Sequence, residues 1–481
     1  MVQLELIDEC LMKYLHYLLY PLLLVGALRA ERAQPNILFI LTDDMGWGDL
    51  GCYGSTQIKT PNIDRLASGG VRFTQAYVSA NVCAPSRAGI LTGRYQERFG
   101  FEHNLSIQDH LKPEMVGIPV DEKLISDRLK QLGYRTGAIG KWHVGESVPA
   151  FHPLQRGFDF FFGMLGGDHD YFPSKEHNEL SWGNEKVKQI RTPYLTDWFT
   201  MEAIDFMERE SEGVDPWFLY LAYNTPHSPM QAKKSDLEAY AHIESPERRV
   251  YCAMQKCLDD NVGKILGYLE DKGQLESTLI IFLNDNGGSV EVSHALNAPF
   301  NGTKGTWYEG GIRVPMIWHW PKVLSAGLRY TEPVIVFDIM HSLVAAAGGE
   351  VTEEKVQVGG REVVRPKDGV NLVPILLGDA KLEDRSLYWR MSLRGGAIRK
   401  GDWKLIMAPH RPPMLFNLAN DPSELTNVSM RRPALVKALY REYHDWCEGF
   451  ERNPMWISSP QWAGYNDALY DRTYELKQPE E

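Results

Sequence analysis

The chain has 481 residues, 43% of them hydrophobic and 24% charged, with a formal net charge of -12. That length allows one large domain and a smaller one, and a mixed composition without low-complexity tracts or a fixed-period repeat excludes a disordered or solenoid protein. The acidic balance argues against a nucleic-acid partner, whose phosphates require clustered Lys and Arg, so an anionic substrate has to be met by a local basic pocket.

Residues 1–33 read as a signal peptide and leader. An apolar run over 14–28 follows Lys13 and precedes Arg29, Glu31 and Arg32, and Val25-Gly26-Ala27 offers a small-residue cleavage site. Glu5, Asp8 and Glu9 do not suit a basic leader, so translation is expected to begin at Met12. The run is shorter than the roughly 20 residues of a membrane span and contains His16 and Pro21. Export without a stable membrane anchor follows: periplasmic or secreted, lysosomal in a eukaryote.

Residues 36–41 form an apolar run of strand length that stops at Thr42-Asp43-Asp44, as a buried parallel strand does. Helical spacing over 124–132 precedes a short strand at 135–139, closing on Gly140-Lys141-Trp142-His143. A strand at 217–222 leads to Asn224-Thr225-Pro226-His227. A long helix over 251–269 then precedes a strand at 278–283 that ends at Asn284-Asp285-Asn286-Gly287-Gly288. This alternation predicts an α/β fold with a large, mixed, mostly parallel sheet flanked by helices. Polar residues recur just past the strand ends, where open α/β sheets bind ligands. Beyond about Leu387 the pieces shorten to 387–391, 396–398, 403–407 and 414–417, followed by a helix at 433–450. We therefore expect a main domain over 34–378 and a small C-terminal antiparallel α+β domain with its tail over 379–481, the boundary lying near Gly378.

Six cysteines are present, and Cys10 would leave with the signal. The remaining Cys52, Cys83, Cys252, Cys257 and Cys447 are odd in number, which in an exported protein flags one thiol with a separate fate. Cys83 is that candidate, while the others stay open between buried thiols and one or two disulfides.

The strongest chemical signal is Cys83-Ala84-Pro85-Ser86-Arg87, continuing through Ala88-Gly89-Ile90-Leu91-Thr92-Gly93-Arg94. Gly133-Tyr134-Arg135-Thr136-Gly137-Ala138-Ile139-Gly140-Lys141-Trp142-His143, Thr225-Pro226-His227, Asp285-Asn286-Gly287 and the K-G-T-W-Y-E-G-G-I-R-V-P run from Lys304 to Pro315 follow it. In these segments, and in their order, the chain resembles the type I, formylglycine-dependent sulfatases of the alkaline phosphatase superfamily, arylsulfatase-like, over roughly residues 35–428. Asn81 departs from the smaller residue usual there.

The resemblance implies sulfate-ester hydrolysis with a divalent metal and a formylglycine made from Cys83 by a formylglycine-generating or anaerobic sulfatase-maturing enzyme. It implies that a metal-bound hydroxyl of the Cys83-derived hydrate attacks sulfur and that the protein is transiently sulfated. His227 and Lys304 would bind the sulfate and protonate the departing alcohol. His143 would take the proton of the second hydroxyl, and Lys141 and Arg87 would neutralise and orient the hydrate. Arg313 would shape the loop after Gly310-Gly311.

The residue types meet the same needs independently, because this cleavage requires a nucleophile, charge neutralisation and a proton for the leaving alkoxide. Asp43, Asp44, Asp285 and Asn286 are hard oxygen ligands suited to Ca²⁺, with Mg²⁺ as the other option. Either pair alone is more simply a turn or cap, and the two can converge only if their strands are neighbours. On the substrate side, residues 158–172 form a loop-like mixture of aromatics, glycines and acids. His169 and Asp170 are candidates there, and His294 is another after the Asp285-Asn286 loop, although core packing competes for the phenylalanines. Thirteen tryptophans together with export favour a sulfated polysaccharide or glycosaminoglycan fragment over a small aryl sulfate. The rival activities are a formylglycine-dependent phosphodiesterase or phosphonate monoester hydrolase. From another class comes an unmatured, catalytically silent sugar-binding protein.

Overall fold

A computed structural model of the protein describes residues 34–106, 111–174, 179–392, 394–457 and 459–472; the expected signal segment lies outside them. The described strands are, in chain order, β1 (Asn36–Thr42), β2 (Val71–Phe73), β3 (Ala76–Tyr77), β4 (Arg135–Lys141), β5 (Phe160–Met164), β6 (Ser181–Trp182), β7 (Glu185–Lys186), β8 (Trp217–Ala222), β9 (Thr278–Asn284), β10 (Met316–His319), β11 (Leu328–Tyr330), β12 (Val334–Ile335), β13 (Glu354–Val358), β14 (Arg361–Arg365), β15 (Ser386–Arg390), β16 (Gly396–Lys400), β17 (Trp403–Met407) and β18 (Met414–Asn417). Ten of them form one mixed sheet in the order β11-β2-β10-β9-β1-β8-β4-β5-β6-β7. Its centre, β9-β1-β8-β4-β5, is parallel, and β10 runs antiparallel to β9. The predicted α/β class, with its large sheet and small C-terminal antiparallel sheet, is the observed one.

Strand β1 shows why the central strands read as unbroken apolar runs. Ile37, Phe39 and Leu41 enter the core that covers one face, with the helices Cys83–Thr92, Ile125–Gln131 and Phe337–Ala346. Leu38 and Ile40 enter the opposite core, under Pro61–Ser68, Leu195–Glu210 and Pro246–Asp271. Both faces of the strand are dry, so alternation between polar and apolar residues disappears. Each such side chain contributes about 1.5–3 kcal/mol by leaving water.

The register fixes what lies at the sheet's C-terminal edge. Thr42 pairs with Asn284, Leu41 with Ala222, and Gly140 with Ala222. Residues 43–44, 285–286, 224–227 and 141–143 therefore leave adjacent strands at one edge. The approach of β5 to β4 depends on Gly163, where a Cβ would come within 2.0 Å of the Gly140 carbonyl oxygen.

Several boundaries differ from expectation. The long helix begins at Pro246, where the Ser245 hydroxyl accepts the Arg248 N–H at 3.2 Å and proline occupies the first turn. The last expected helix ends at Cys447. Within 158–172 the loop-like reading holds for 165–172 but not for 160–164, which are strand β5 with Phe161 and Phe162 buried in the two cores; core packing takes those phenylalanines. Strands of two or three residues had no periodicity long enough to mark them, whereas the β13–β14 hairpin, with alternation in β13 and Gly359-Gly360 at its turn, was legible and passed over. The five described cysteines are free thiols.

The C-terminal sheet is an antiparallel meander, β15-β16-β17-β18. Trp389, Ala397, Ile406 and Phe416 join the main core, whereas Ile398, Leu405 and Leu415 pack beneath the helix Pro433–Cys447 with Leu439 and Tyr443. Among the described residues no helix is long and apolar enough to cross a membrane.

Candidate active site

Four strand ends and one helix start build the site. Asp43 and Asp44 follow β1, and Asp285 and Asn286 follow β9, with the Asp285 N–H donating to the Thr42 carbonyl at 3.0 Å so that the two acidic turns lie side by side. One oxygen from each of Asp43, Asp44 and Asp285 lies within 4.8 Å of the others. The Cys83 Sγ and a ring nitrogen of His227 lie within the same distance of an Asp43 oxygen. Cys83 opens the helix Cys83–Thr92, all ten residues of which are buried, and the next N–H, from Ala84, donates to the Asn104 side chain at 3.1 Å.

Cations surround these acids. Arg87 is fully buried and donates to Asp285 Oδ2 at 2.8 Å, to Asp43 Oδ2 at 3.3 Å and to the Lys141 carbonyl at 2.8 Å. Lys141 pairs with Asp43, and Lys304 reaches Asp44 at 2.8 Å. The hydrogen bonds of Arg87 thus orient the acids and the end of β4. Asn286 donates to Asp44 Oδ1 at 2.7 Å.

Three buried oxygens in this cluster, Asp43 Oδ1, Asp285 Oδ1 and Asn286 Oδ1, have no hydrogen-bond partner. Buried polar atoms are seldom left so, and carboxylate and amide oxygens are hard donors of the kind Ca²⁺ and Mg²⁺ take. The electrostatics agree. Burial and the neighbouring Asp43 charge push the Asp285 carboxyl up to about 8, whereas Asp43, although buried, is held well below the usual range by Lys141, His227, Arg87 and Lys304. A cation among these oxygens would return Asp285 to its ionised form.

The other ionisable groups fall into distinct states. Burial raises the Cys83 thiol, but Lys141, Lys304 and a bond from His227 outweigh it and bring the group down to about 7. His143, at a left-handed φ of 59°, is held well below the ordinary histidine value by burial and by the Lys141 and Arg87 charges. Its ring rests on Gly167, where a Cβ would lie 2.7 Å from Nε2. His227 is raised despite burial, because Asp43 and Asp44 favour its charged form. Its Nδ1 is 2.6 Å from the Ser228 carbonyl, leaving Nε2 to face Asp44 at 3.7 Å. Lys304 is raised well above the usual lysine value, since Asp44, Cys83 and Asp43 overcome its burial.

Two of the three substrate candidates have side-chain hydrogen bonds within the protein. His169 is engaged at both ring nitrogens, with the Asp170 carbonyl at 2.7 Å and the Glu179 N–H at 3.3 Å. Asp170 accepts from Gln231 at 2.9 Å. His294 stands at a left-handed φ of 59° and offers its carbonyl to Arg248 at 2.9 Å.

Several positioning groups escaped the sequence reading. Asn284 holds the acidic turns together by accepting from Thr42 Oγ1 at 2.9 Å and the Met45 N–H at 3.1 Å while donating to the Met45 carbonyl at 2.9 Å. Tyr171 donates to the carbonyls of Asn224 at 2.6 Å and His227 at 2.9 Å. The Asn81 carbonyl takes the Gly305 N–H at 2.8 Å and so ties the Lys304 loop to the Cys83 region. The polar Asn284 closing an otherwise apolar strand was the one available signal.

The sulfatase family model matches residues 35–349. Mouse arylsulfatase J is 31% identical over 467 residues, spanning 86% of this chain and 75% of that protein. Human N-acetylgalactosamine-6-sulfatase is 34% identical over 375 residues, 74% of this chain and 68% of that one. Among solved structures, Ps i-CgsB in complex with k-i-k-neocarrahexaose superposes with a TM-score of 0.80 at 36% identity, covering 91% of this chain and 99% of the other. With the family match extending over more than half its length and these relatives over most of it, the chain belongs to the sulfatases and is a sulfuric ester hydrolase.

Proposed function

We propose that the protein cleaves a sulfate ester on a sulfated polysaccharide or glycosaminoglycan fragment, with Cys83 matured to formylglycine and one divalent cation, Ca²⁺ in the first instance, held by Asp43, Asp44, Asp285, Asn286 and the residue 83 side chain. The observation that carries this reading is the convergence of Asp43, Asp44 and Asp285 oxygens beside the Cys83 thiol, His227 and three cationic side chains, with Asp43 Oδ1, Asp285 Oδ1 and Asn286 Oδ1 left unpartnered. The cation would supply charge neutralisation and formylglycine a hydrate hydroxyl as nucleophile.

The chain's own groups then divide the work. Arg87 and Lys141 keep the acidic turns in register and Asp43 ionised. Lys304 presents an ammonium for the sulfuryl oxygens, where fixed charge lowers the barrier most. With Nδ1 tied to the Ser228 carbonyl, His227 can deliver a proton from Nε2 to the departing alcohol. His143, kept neutral, can accept one.

A carbohydrate substrate is supported by the relative named for N-acetylgalactosamine-6-sulfate and by the neocarrahexaose complex. Maturation by a formylglycine-generating or anaerobic sulfatase-maturing enzyme, export, and a division near Gly378 complete the proposal. The phosphonate monoester hydrolase of Agrobacterium radiobacter, at 20% identity and a TM-score of 0.61, shares the fold. Peptide mass spectrometry across Cys83 should find the aldehyde or its hydrate, and turnover should favour an aryl sulfate over an aryl phosphodiester. An active preparation whose Cys83 peptide is wholly unmodified thiol would sink the mechanism.

A further inference from the structure

A fully buried lysine sits where the reaction has no use for it. The side chains of Lys404 on β17, Glu309 in the Glu309–Ile312 turn and Glu424 beyond β18 are all completely inaccessible. Lys404 Nζ lies 2.8 Å from Glu309 Oε1 and 2.9 Å from Glu424 Oε1. The other oxygen of Glu309 accepts from the Tyr77 hydroxyl at 2.6 Å and from Arg313 at 3.1 Å, and its backbone N–H donates to Glu424 Oε2. Glu309 is thus pinned at side chain and backbone alike. An ammonium is taken out of water only where well-placed partners compensate for its desolvation, and these partners come from segments more than a hundred residues apart.

What Glu309 anchors is the metal side of the site. The carbonyl of Gly311, two residues on, accepts the Gly287 N–H at 3.0 Å, and the Gly310 N–H donates to the Asn301 carbonyl at 2.7 Å. A Cβ on Gly287 would come within 1.8 Å of the Gly310 carbonyl oxygen and 2.7 Å of the Gly311 Cα. Backbone therefore rests on backbone here, with no flexible side chain between to absorb a shift. Gly287 directly follows Asp285 and Asn286, and the next carbonyl, of Gly288, accepts the Lys304 N–H at 3.1 Å.

We propose that Lys404 is a positioning residue for the metal ligands, acting through Glu309 to hold the Gly310-Gly311 turn against which the Asp285-Asn286-Gly287 loop is seated. The proposal rests on the metal reading given above. It makes the C-terminal sheet a determinant of cation affinity, although none of its residues touches the cation. Breaking support behind ligands typically weakens metal binding by about 10–100-fold. This chain of contacts is one step longer, so the lower figure applies.

The test is calorimetric titration of the full-length protein with Ca²⁺ and, in turn, Mg²⁺, alongside melting midpoints without metal. Arg365→Met is the control for mere destabilisation. Arg365 is nearly as buried, at 3% exposure, and bridges Asp121 at 2.8 Å, Glu122 at 2.9 Å and Glu451 at 3.1 Å, a separate ion-pair cluster completed by Arg94 and Arg452. Lys404→Met should weaken the cation by about 10-fold, whereas Arg365→Met, though it too lowers the midpoint, should stay within about twofold of wild type. Saturating metal should restore turnover in Lys404→Met. Wild-type affinity in Lys404→Met, or an equal loss in Arg365→Met, overturns the proposal. Should Lys404→Met fail to fold, Glu424→Gln is read in the same way, with a loss of about threefold expected and wild-type affinity refuting. Equal binding by wild type and Asp285→Asn would instead overturn the metal reading itself.

Discussion

Gly167→Ala isolates the position of one catalytic candidate. The three atoms nearest to a Cβ at residue 167 all belong to the His143 ring, with Nε2 at 2.7 Å, Cε1 at 2.9 Å and Cδ2 at 3.1 Å. Restoring ordinary contact at 3.4 Å requires the ring to retreat by about 0.7 Å. Misplacement of a reacting group by about 1 Å can cost roughly 10²-fold in rate, so kcat should fall by about 10- to 100-fold. Overpacking costs about 1–3 kcal/mol where neighbours cannot yield. Residue 143 is intermediate in exposure, although its ring Nδ1 is buried, so the melting midpoint should drop by an amount within that range. Gly166→Ala is the matched control, because its Cβ would meet only a Glu146 oxygen at 3.5 Å, and it should behave as wild type. The assay is turnover of an aryl sulfate with thermal melting of both variants. Wild-type kcat in Gly167→Ala would refute the claim that this glycine sets the ring's position; a large loss in Gly166→Ala would show that the loop, not the ring, is responsible.

His227→Ala should hurt sugar sulfates more than activated aryl sulfates, on the scale of about 10²–10⁴-fold that general acid assistance provides, while Lys304→Ala and His143→Ala slow both alike; equal losses on the two substrates in His227→Ala would leave its role unsupported. Asn284→Ala removes the clamp between the acidic turns and should weaken the divalent cation by about 10-fold while the β1–β9 ladder survives, a result checked by calorimetry and circular dichroism. Burial, opposed by Lys404 and reinforced by the Glu309 charge, pushes Glu424 from 4.5 up to about 7. The folded protein then retains a proton that the unfolded chain releases, so this group's stabilisation is complete below about 4.5 and fades as the pH rises to about 7. Melting curves from pH 4.5 to about 8 should therefore lose part of their slope in Glu424→Gln, and parallel curves would contradict the assignment.

The α/β class and the central strands were legible in the sequence. Runs such as 36–41 and 278–283 are apolar because both sheet faces are covered, and each stops at the polar residues that form the cluster. The Cys83 to Arg87 motif marked its helix start for the same local reason. Short edge strands, the burial of β5 and the ends of the long helices were not legible, since two or three residues carry no period and a phenylalanine fits a core or a sugar platform equally well. Residue type says nothing of which partners the His169 ring nitrogens or the Asp170 carboxylate find in the fold. Only tertiary structure decided that β1 and β9 are neighbours, with Thr42 opposite Asn284, that Arg87 turns to the acids, and that Lys404 from the far end of the chain lies behind Glu309. Those facts depend on register and on long-range packing. A sequence records which residues can pair, and burial energy summed over the whole core selects the pairs that do.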